Sequence, residues 1–351
     1  VIASINGGYI ILGHTKSYEV SPSVDSQGDD WIIKVDNQGE MIWQYISNAD
    51  GRGRFEDVLE LSDGSIVLVG NDWSSEKAVA LKLDSDGNSV WEVLYRPDGV
   101  SERYDFLDVV EFNNTLYASS SEWGAGSCSQ CKVRVNSYLH TISVMDGTVS
   151  DIINIPALPG LTIDSIGELD VTSTEGLMIA GIAMPEDASP YPLGGAYLQV
   201  LDVDLTQITT WNNVGGSQMD VGDVIELSNG NFAVIGNQHS IYPILTVINS
   251  DGLGINEYFG GHSQEFYYYG GHSIAGGENG RVLALFEDEA SSIDPLTLMS
   301  FNADLSLESR SHPIDFKDSV RAAGLVHNDD GTNTFLINEG PNGNNNIVLV
   351  K

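Results

Sequence analysis

The feature that most constrains the fold is a repeat of 50 to 60 residues that runs along the whole chain. Each copy begins with an apolar run, a Gly/Asn/Asp turn and a second β-rich run, as in residues 7–13 and 57–70. An outer hairpin follows, as in residues 31–43 and 78–91. Runs of Val, Ile, Leu and Tyr joined by Asp-Gly or Asn-Gly turns are typical of β-hairpins, because glycine adopts the positive φ that these turns require.

Four strands in about 50 residues is the period of a β-propeller blade. The sequence therefore predicts an all-β fold with a single domain over residues 1–351, a seven-bladed β-propeller of four-stranded antiparallel blades. The predicted blades are residues 1–47, 57–95, 106–155, 165–213, 223–260, 271–313 and 322–351. Because there are fewer outer hairpins than inner hairpins, we expect the last blade to be incomplete and the natural chain to continue beyond Lys351.

Two motifs resemble those of a known group of repeats. Residues 7–13 read Gly-Gly-Tyr-x-x-x-Gly, and residues 29–43 read Asp-x-Trp-x-x-Lys-x-Asp-x-x-Gly-x-x-x-Trp. This pair is similar to the repeats of secreted bacterial and archaeal β-propellers, and later blades match through period and turns. The resemblance implies an extracellular or surface-attached propeller, often one module of a longer chain, with no shared catalytic apparatus. We expect the motif tryptophans Trp43 and Trp91 to fill gaps between adjacent blades.

Charge and cysteine content limit the compartment and the partners. The chain has 50 Asp and Glu against 15 Lys and Arg, a formal net charge of −35. Such a surface repels phosphate, which argues against nucleic acid as a partner. No apolar run approaches the roughly 18 residues of a membrane span, so no direct membrane insertion is expected. We expect a secreted or cell-surface protein (extracellular or periplasmic) with a Cys128–Cys131 disulfide, the alternatives being free thiols or a small bound group.

Ligands are expected at the loops between blades and between the second and third strands of a blade, which share one face of a propeller. Arginines concentrate in the predicted blade-to-blade loops, which hold Arg52, Arg54, Arg96, Arg103 and Arg321. One interpretation is a cationic surface that binds a carboxylate or sulfate on a glycan or protein ligand. The other is that these arginines pair with nearby acids such as Asp105 and fix the loops.

Aromatic side chains are predicted at the same face. The candidate ligand-binding residues among them are Trp73, Trp123 and Tyr267, with His262 close by. Exposed rings would stack on sugars, whereas buried rings would anchor long loops. The sequence leaves both interpretations open.

Asp57, Asp108 and Asp223 occupy matched places at the start of innermost strands, and each is followed by Val. Such repetition predicts a ring of carboxylates able to hold Ca²⁺ together with water. Alternatively, each carboxylate caps its own loop through backbone N–H groups. No other cofactor is expected.

These features favour a non-catalytic binding or scaffolding propeller with a glycan or protein ligand. No Gly-x-Ser-x-Gly, P-loop or dinucleotide motif is present in the sequence. One alternative is a carbohydrate-active hydrolase or lyase with a site at the mouth of the central channel, since carboxylates from separate blades can assemble such a site. A second alternative is a structural spacer in an extracellular assembly.

Overall fold

A computed structural model provides the structure of the chain. It describes residues 1–15, 29–47, 55–100, 102–125, 132–150, 152–174, 176–186, 194–214, 219–238, 242–259, 270–287, 296–311, 320–328, 332–339 and 346–350. Over these ranges the chain is all β, with one short 3₁₀ turn at Glu278–Gly280 and no α-helix. Within them, no helix is long and apolar enough to cross a membrane.

The strands of the first three sheets are β1 (Ile2–Ala3), β2 (Tyr9–Thr15), β3 (Asp29–Val35), β4 (Met41–Ile46), β5 (Phe55–Glu60), β6 (Ile66–Asp72), β7 (Lys77–Leu83), β8 (Ser89–Tyr95), β9 (Tyr104–Phe112), β10 (Thr115–Ala125) and β11 (Lys132–Ile142). Those of the next two are β12 (Leu161–Val171), β13 (Leu177–Pro185), β14 (Gly195–Leu201), β15 (Gln207–Asn212), β16 (Met219–Glu226), β17 (Phe232–Gln238), β18 (Tyr242–Ile248) and β19 (Gly254–Phe259). The last are β20 (Gly270–Gly276), β21 (Val282–Glu287), β22 (Leu296–Phe301), β23 (Leu307–Ser311), β24 (Val320–His327), β25 (Asn333–Glu339) and β26 (Asn346–Val350).

The strands form antiparallel sheets in chain order, the arrangement of four-stranded β-propeller blades. Five sheets have four strands, namely β1–β4, β5–β8, β12–β15, β16–β19 and β20–β23. The third sheet, β9–β11, has two isolated bridges, Ile142–Val149 and Leu139–Ile153, where its outer strand was expected. The last sheet, β24–β26, has three strands. The prediction of seven blades is therefore wrong: the described chain forms six blades, and the three strands of the last sheet do not complete a further one.

The chain divides into two compact units. The first comprises Val1–Ile155 and Asp164–Leu169. Apolar side chains of its neighbouring sheets pack together between the sheets, and the largest of them that are fully buried include Ile32, Leu68 and Phe106. The second comprises Pro156–Ile163 and Asp170–Lys351, with its own buried side chains such as Tyr197, Phe286 and Phe301.

The aspartate of the outer-hairpin motif caps the turn that follows it. Asp36 Oδ1 accepts hydrogen bonds from the backbone N–H groups of Gln38 at 2.8 Å and Glu40 at 2.9 Å. Asp84 Oδ1 accepts the equivalent bonds from Asp86 at 3.0 Å and Asn88 at 2.8 Å. The carboxylate thereby satisfies donors that the turn leaves unpaired, which explains the Asp in the motif.

The motif tryptophans connect neighbouring sheets of the first unit, as the sequence predicted. Trp43 Nε1 donates to the carbonyl oxygen of Ser85 at 3.0 Å, and Trp91 Nε1 donates to that of Val144 at 3.1 Å. Each indole also covers a glycine in the next turn: a Cβ built on Gly87 would lie 2.8 Å from the Trp43 ring. Gly87 is thus required twice, by its positive φ and by the indole above it.

Replacing Gly87 by Ala is expected to lower the free energy of unfolding by about 2 to 5 kcal/mol. Gly87 has φ +82°, where an L side chain costs about 1 to 2 kcal/mol. The added methyl group would also overlap the Trp43 ring, and overpacking costs about 1 to 3 kcal/mol. Urea denaturation of the wild type and the variant measures the difference.

Gly39 supplies a matched control, because it has the same φ of +82° and nothing lies within 4 Å of its built Cβ. Gly39→Ala should therefore lose only the free energy of unfolding that a side chain costs at this positive φ. Equal losses of stability in the two variants would contradict a packing role for Gly87.

Candidate functional site

Three segments of the first unit meet beside the start of β9. They are the β6–β7 loop with Trp73, the segment before β9 with Arg103, and the distal part of β10 with Trp123. The backbone joins them: the Tyr104 N–H donates to the Glu76 carbonyl at 3.1 Å, and the Trp123 N–H donates to the Arg103 carbonyl at 2.9 Å. Three of the predicted ligand-binding residues are therefore brought together by backbone hydrogen bonds.

Trp73, Arg103, Asp105 and Trp123 form what we call the indole–guanidinium cluster. The Arg103 Cζ atom lies 5.4 Å from the ring centroid of Trp73 and 5.1 Å from that of Trp123. Both distances are within the range of cation–π attraction. Arg103 Nε donates to Asp105 Oδ1 at 2.7 Å, and Trp123 Nε1 donates to Asp105 Oδ2 at 2.7 Å. One carboxylate thus orients both the guanidinium and an indole.

Burial differs sharply across the cluster. The Asp105 side chain is 2% exposed, whereas that of Arg103 is 26% exposed. Trp73 and Trp123 are half-buried. Asp105 therefore forms the buried side of the cluster, and the guanidinium of Arg103 and parts of the indoles face solvent. This arrangement can offer a ligand hydrogen-bond donors beside apolar ring surface.

A buried polar network forms around Tyr104, the residue that follows Arg103. The Tyr104 hydroxyl is 2.8 Å from Ser120 Oγ and 2.7 Å from His140 Nε2, and His140 Nδ1 is 3.1 Å from the Ser150 carbonyl. Because a carbonyl only accepts, Nδ1 carries a proton, and in the neutral imidazole Nε2 accepts from Tyr104. Burial raises the pKa of the Tyr104 hydroxyl far above its ordinary range, so it remains a donor. The network holds the start of β9 in place.

The remaining predicted ligand residues do not join this cluster in the described structure. Arg96 lies in the β8–β9 connection, as Arg103 does. Arg321 lies in β24 of the second unit, and its side chain is outside the described part of the chain. The residues that fall wholly outside the described ranges are Arg52, Arg54, His262, Tyr267, Cys128 and Cys131.

The position shared by Asp57, Asp108 and Asp223 follows a β-bulge near the start of a first strand. A bulge re-aims the side chain that comes after it. Asp57 Oδ2 accepts from the Val109 N–H at 3.1 Å, and Asp223 Oδ2 accepts from the Ile274 N–H at 2.9 Å. Asp108 Oδ2 accepts from the Leu169 N–H in the same way. Each carboxylate therefore connects its sheet to the next one.

The first two of these aspartates also interact directly. The Asp57 and Asp108 side chains share a hydrogen bond, which requires a proton between them. Burial raises the pKa of both carboxyls, and the negative charges of Asp57 and Glu168 add to the effect on Asp108. Among the described residues no group of three or more His, Cys, Asp or Glu could hold a metal ion. These hydrogen bonds join neighbouring sheets, whereas the capping interpretation placed each carboxylate on its own loop, and the Ca²⁺ site stays a prediction.

Sequence reasoning placed Asp105 only among possible partners for the arginines and missed its bond to Trp123. The separation of two positions between Arg103 and Asp105 indicated their ion pair, but no local spacing indicated the bond from Trp123 on β10. The role of His140 had no such signal. Its hydrogen-bond partners Tyr104 and Ser150 come from β9 and from the segment after β11, which only the folded sheet brings together.

No protein-family model and no curated protein matches the chain. Among solved structures, a protein of unknown function from Dyadobacter fermentans superposes with a TM-score of 0.56 at 12% identity, over 85% of this chain and 94% of that one. A protein of unknown function from Bacteroides caccae gives 0.47 at 10% identity, over 87% and 93%. A GH43 β-1,3-galactosidase with galactodeoxynojirimycin gives 0.40 at 10% identity, over 76% and 92%. The similarity to the Dyadobacter protein shows a shared fold, and at this identity it shows nothing about a ligand.

Proposed function

We propose that the chain is a non-catalytic binding module of a secreted or cell-surface protein and that it holds a glycan at the indole–guanidinium cluster. The observation that carries the proposal is the position of Arg103 over Trp73 and Trp123. The cluster lies on connecting loops fixed by backbone hydrogen bonds, and loops on a rigid scaffold are where binding residues concentrate.

A glycan fits this surface better than a protein loop does. Aromatic rings with a polar neighbour suit sugars, because a ring face contacts the apolar face of a pyranose while the polar group binds its hydroxyls. A protein ligand would need a larger apolar surface around such anchors. Protein binding at the cluster is therefore treated as the competing outcome of the test.

The Asp57–Asp108 pair gives the hydrolase alternative no support. Glycosidases need two carboxyl groups about 5 to 10 Å apart with oxygens free to act on substrate. Asp57 and Asp108 are instead hydrogen-bonded to each other and to backbone N–H groups of neighbouring sheets. Their oxygens are committed to joining the sheets.

Replacing Trp73 by Ala is expected to weaken glycan binding about tenfold or more, because truncating an anchoring aromatic side chain commonly costs over 1 kcal/mol of binding. The wild type is first screened on a glycan array, and its best oligosaccharide is then titrated into wild type and variant by isothermal calorimetry. Circular dichroism and thermal unfolding confirm that the variant is folded.

Trp31→Ala is the matched control, since Trp31 is also a half-buried tryptophan but lies on β3, in another sheet of the same unit. It should bind as the wild type does. Unchanged affinity in Trp73→Ala, or capture of a protein rather than any glycan through the cluster, would overturn the proposal.

A further inference from the structure

We propose that the indole–guanidinium cluster selects a carboxylate on the sugar, a uronic acid in an otherwise neutral glycan, through the terminal nitrogens of Arg103. This inference rests on the proposed glycan binding and specifies which chemical group the site recognises. The inference follows from the N–H donors of the cluster that have no acceptor among the described residues.

The hydrogen-bonding capacity of Arg103 is only partly used. A guanidinium has five N–H donors, and here the Nε donor is taken by Asp105 Oδ1 at 2.7 Å. Within the described ranges the four donors on the two Nη atoms have no protein acceptor. Indole faces attract the positive charge but supply no oxygen acceptor. The side chain is 26% exposed, so these donors are open to a ligand.

The orientation of the guanidinium is fixed before any ligand arrives. Asp105 is almost fully buried, and its second oxygen is held by Trp123 Nε1 at 2.7 Å. The Nε side of the guanidinium therefore faces inward, and the edge with both Nη atoms is the one left for a ligand. Two parallel N–H groups match the two oxygens of a carboxylate, the bidentate geometry in which Arg is strongest.

Donors exceed acceptors elsewhere in the cluster too. Trp73 Nε1 is buried and, among the described residues, has no hydrogen-bond partner. An unpaired buried donor is unfavourable, and an acceptor brought by a ligand would remove that cost. A carboxylate supplies only acceptors, whereas a neutral hydroxyl also brings a donor. The donor excess thus favours an acid over the corresponding alcohol.

The net charge sets a limit on the ligand. At −35 the protein repels polyanions, and Asp105 locally balances the charge of Arg103. Long-range attraction therefore contributes little, and recognition depends on short hydrogen bonds. A single carboxylate on a neutral chain fits these conditions better than a highly charged polymer.

Cellobiouronic acid and cellobiose form a matched pair of probes, because they differ only in a carboxylate that replaces a hydroxymethyl group. We expect wild-type protein to bind the acid about tenfold more tightly than cellobiose, the size of effect that a charge-assisted hydrogen bond gives. Arg103→Met should bind both sugars equally. Arg103→Lys keeps the positive charge but lacks the two parallel N–H donors, so it should lose most of the preference for the acid over cellobiose.

Nuclear magnetic resonance of ¹⁵N-labelled protein provides both the affinities and a folding check. The Trp73 indole N–H signal should shift with the acid in the wild type, and Trp31→Ala should retain the preference. Equal affinity for the two disaccharides in wild-type protein would overturn the carboxylate inference and leave the proposed function intact. Binding of neither disaccharide, with no hit on the glycan array, would remove both.

Discussion

Replacing Lys34 by Met should lower the free energy of unfolding by about 3 to 5 kcal/mol, the cost of leaving one partner of a buried ion pair uncompensated. Lys34 Nζ lies 2.8 Å from Glu60 Oε1, and the two side chains are 7% and 2% exposed. Glu60 also accepts from Ser4 Oγ at 3.1 Å and from the Ile5 N–H at 2.8 Å. The pair joins the first two sheets, so urea denaturation of purified protein should report its loss directly.

Arg281→Met is the control for burial. Arg281 Nη2 and Glu308 Oε1 are also 2.8 Å apart, but these side chains are 46% and 38% exposed. Exposed ion pairs contribute about 0 to 1 kcal/mol to the free energy of unfolding, so Arg281→Met should hardly change the midpoint of urea denaturation. Adding Glu60→Gln to Lys34→Met should recover much of the loss, because Gln keeps an acceptor for the Ile5 N–H without a buried charge. A loss of less than 1 kcal/mol in Lys34→Met alone would contradict this account.

The strand pattern of this chain is local and was therefore predictable. Alternating apolar residues, Gly turns and the capping aspartates all act within a few residues of each other, as at Asp36 and Asp84. The predicted outer hairpins at residues 31–43 and 78–91 correspond to β3–β4 and β7–β8. The role of Trp43 also followed from the sequence, because a tryptophan repeated in the outer hairpins was expected to fill the gap between neighbouring sheets.

The third sheet shows where a local pattern fails. Apolar residues after β11 predicted an outer strand, but among the described residues of this segment only Val149 and Ile153 form bridges to β11. Side chains take the backbone groups between them: the Ser150 carbonyl accepts from His140 Nδ1 at 3.1 Å, and Ser150 Oγ accepts from the Thr141 N–H at 2.9 Å. The Ser150 carbonyl and the Thr141 N–H are therefore not available for the backbone pairing that a continuous outer strand would need. Nothing in the spacing of apolar residues reports a buried histidine on the neighbouring strand.

The candidate site was predictable as a set of residues but not as a geometry. Trp73, Arg103 and Trp123 were each identified from their loops, yet their meeting depends on how two sheets pack. The aspartates after the bulges were matched correctly by their repetition. Whether they bind a cation or each other depends on distances between sheets, which the sequence does not contain.

The Asp57–Asp108 pair makes a second strong prediction, because two buried carboxyls with raised pKa values stabilise the fold only while protonated. The described side chain whose charge acts on the pair is that of Glu168, which raises the pKa of Asp108. A raised pKa means that the stabilisation is complete below the ordinary range of Asp and is lost as pH rises through the raised value.

Asp108→Asn mimics the protonated acid permanently. Its amide oxygen can still accept from the Leu169 N–H, and its NH₂ group can donate to Asp57. The wild type should therefore lose stability relative to this variant as pH rises from about 4, the ordinary pKa of Asp, towards neutral and alkaline pH, at up to about 1.4 kcal/mol per pH unit for each proton released. Urea denaturation across this range measures the difference.

The net charge of −35 also weakens the fold as pH rises, so a variant with the same change in charge is needed for comparison. Asp98→Asn supplies it, because Asp98 is exposed in the β8–β9 connection of the same unit. Its stability should run nearly parallel to that of the wild type. If Asp108→Asn ran parallel to the wild type as well, the two aspartates would hold no shared proton. If instead the stabilities of the wild type and Asp108→Asn converged only at low pH, the result would support a proton shared by Asp57 and Asp108.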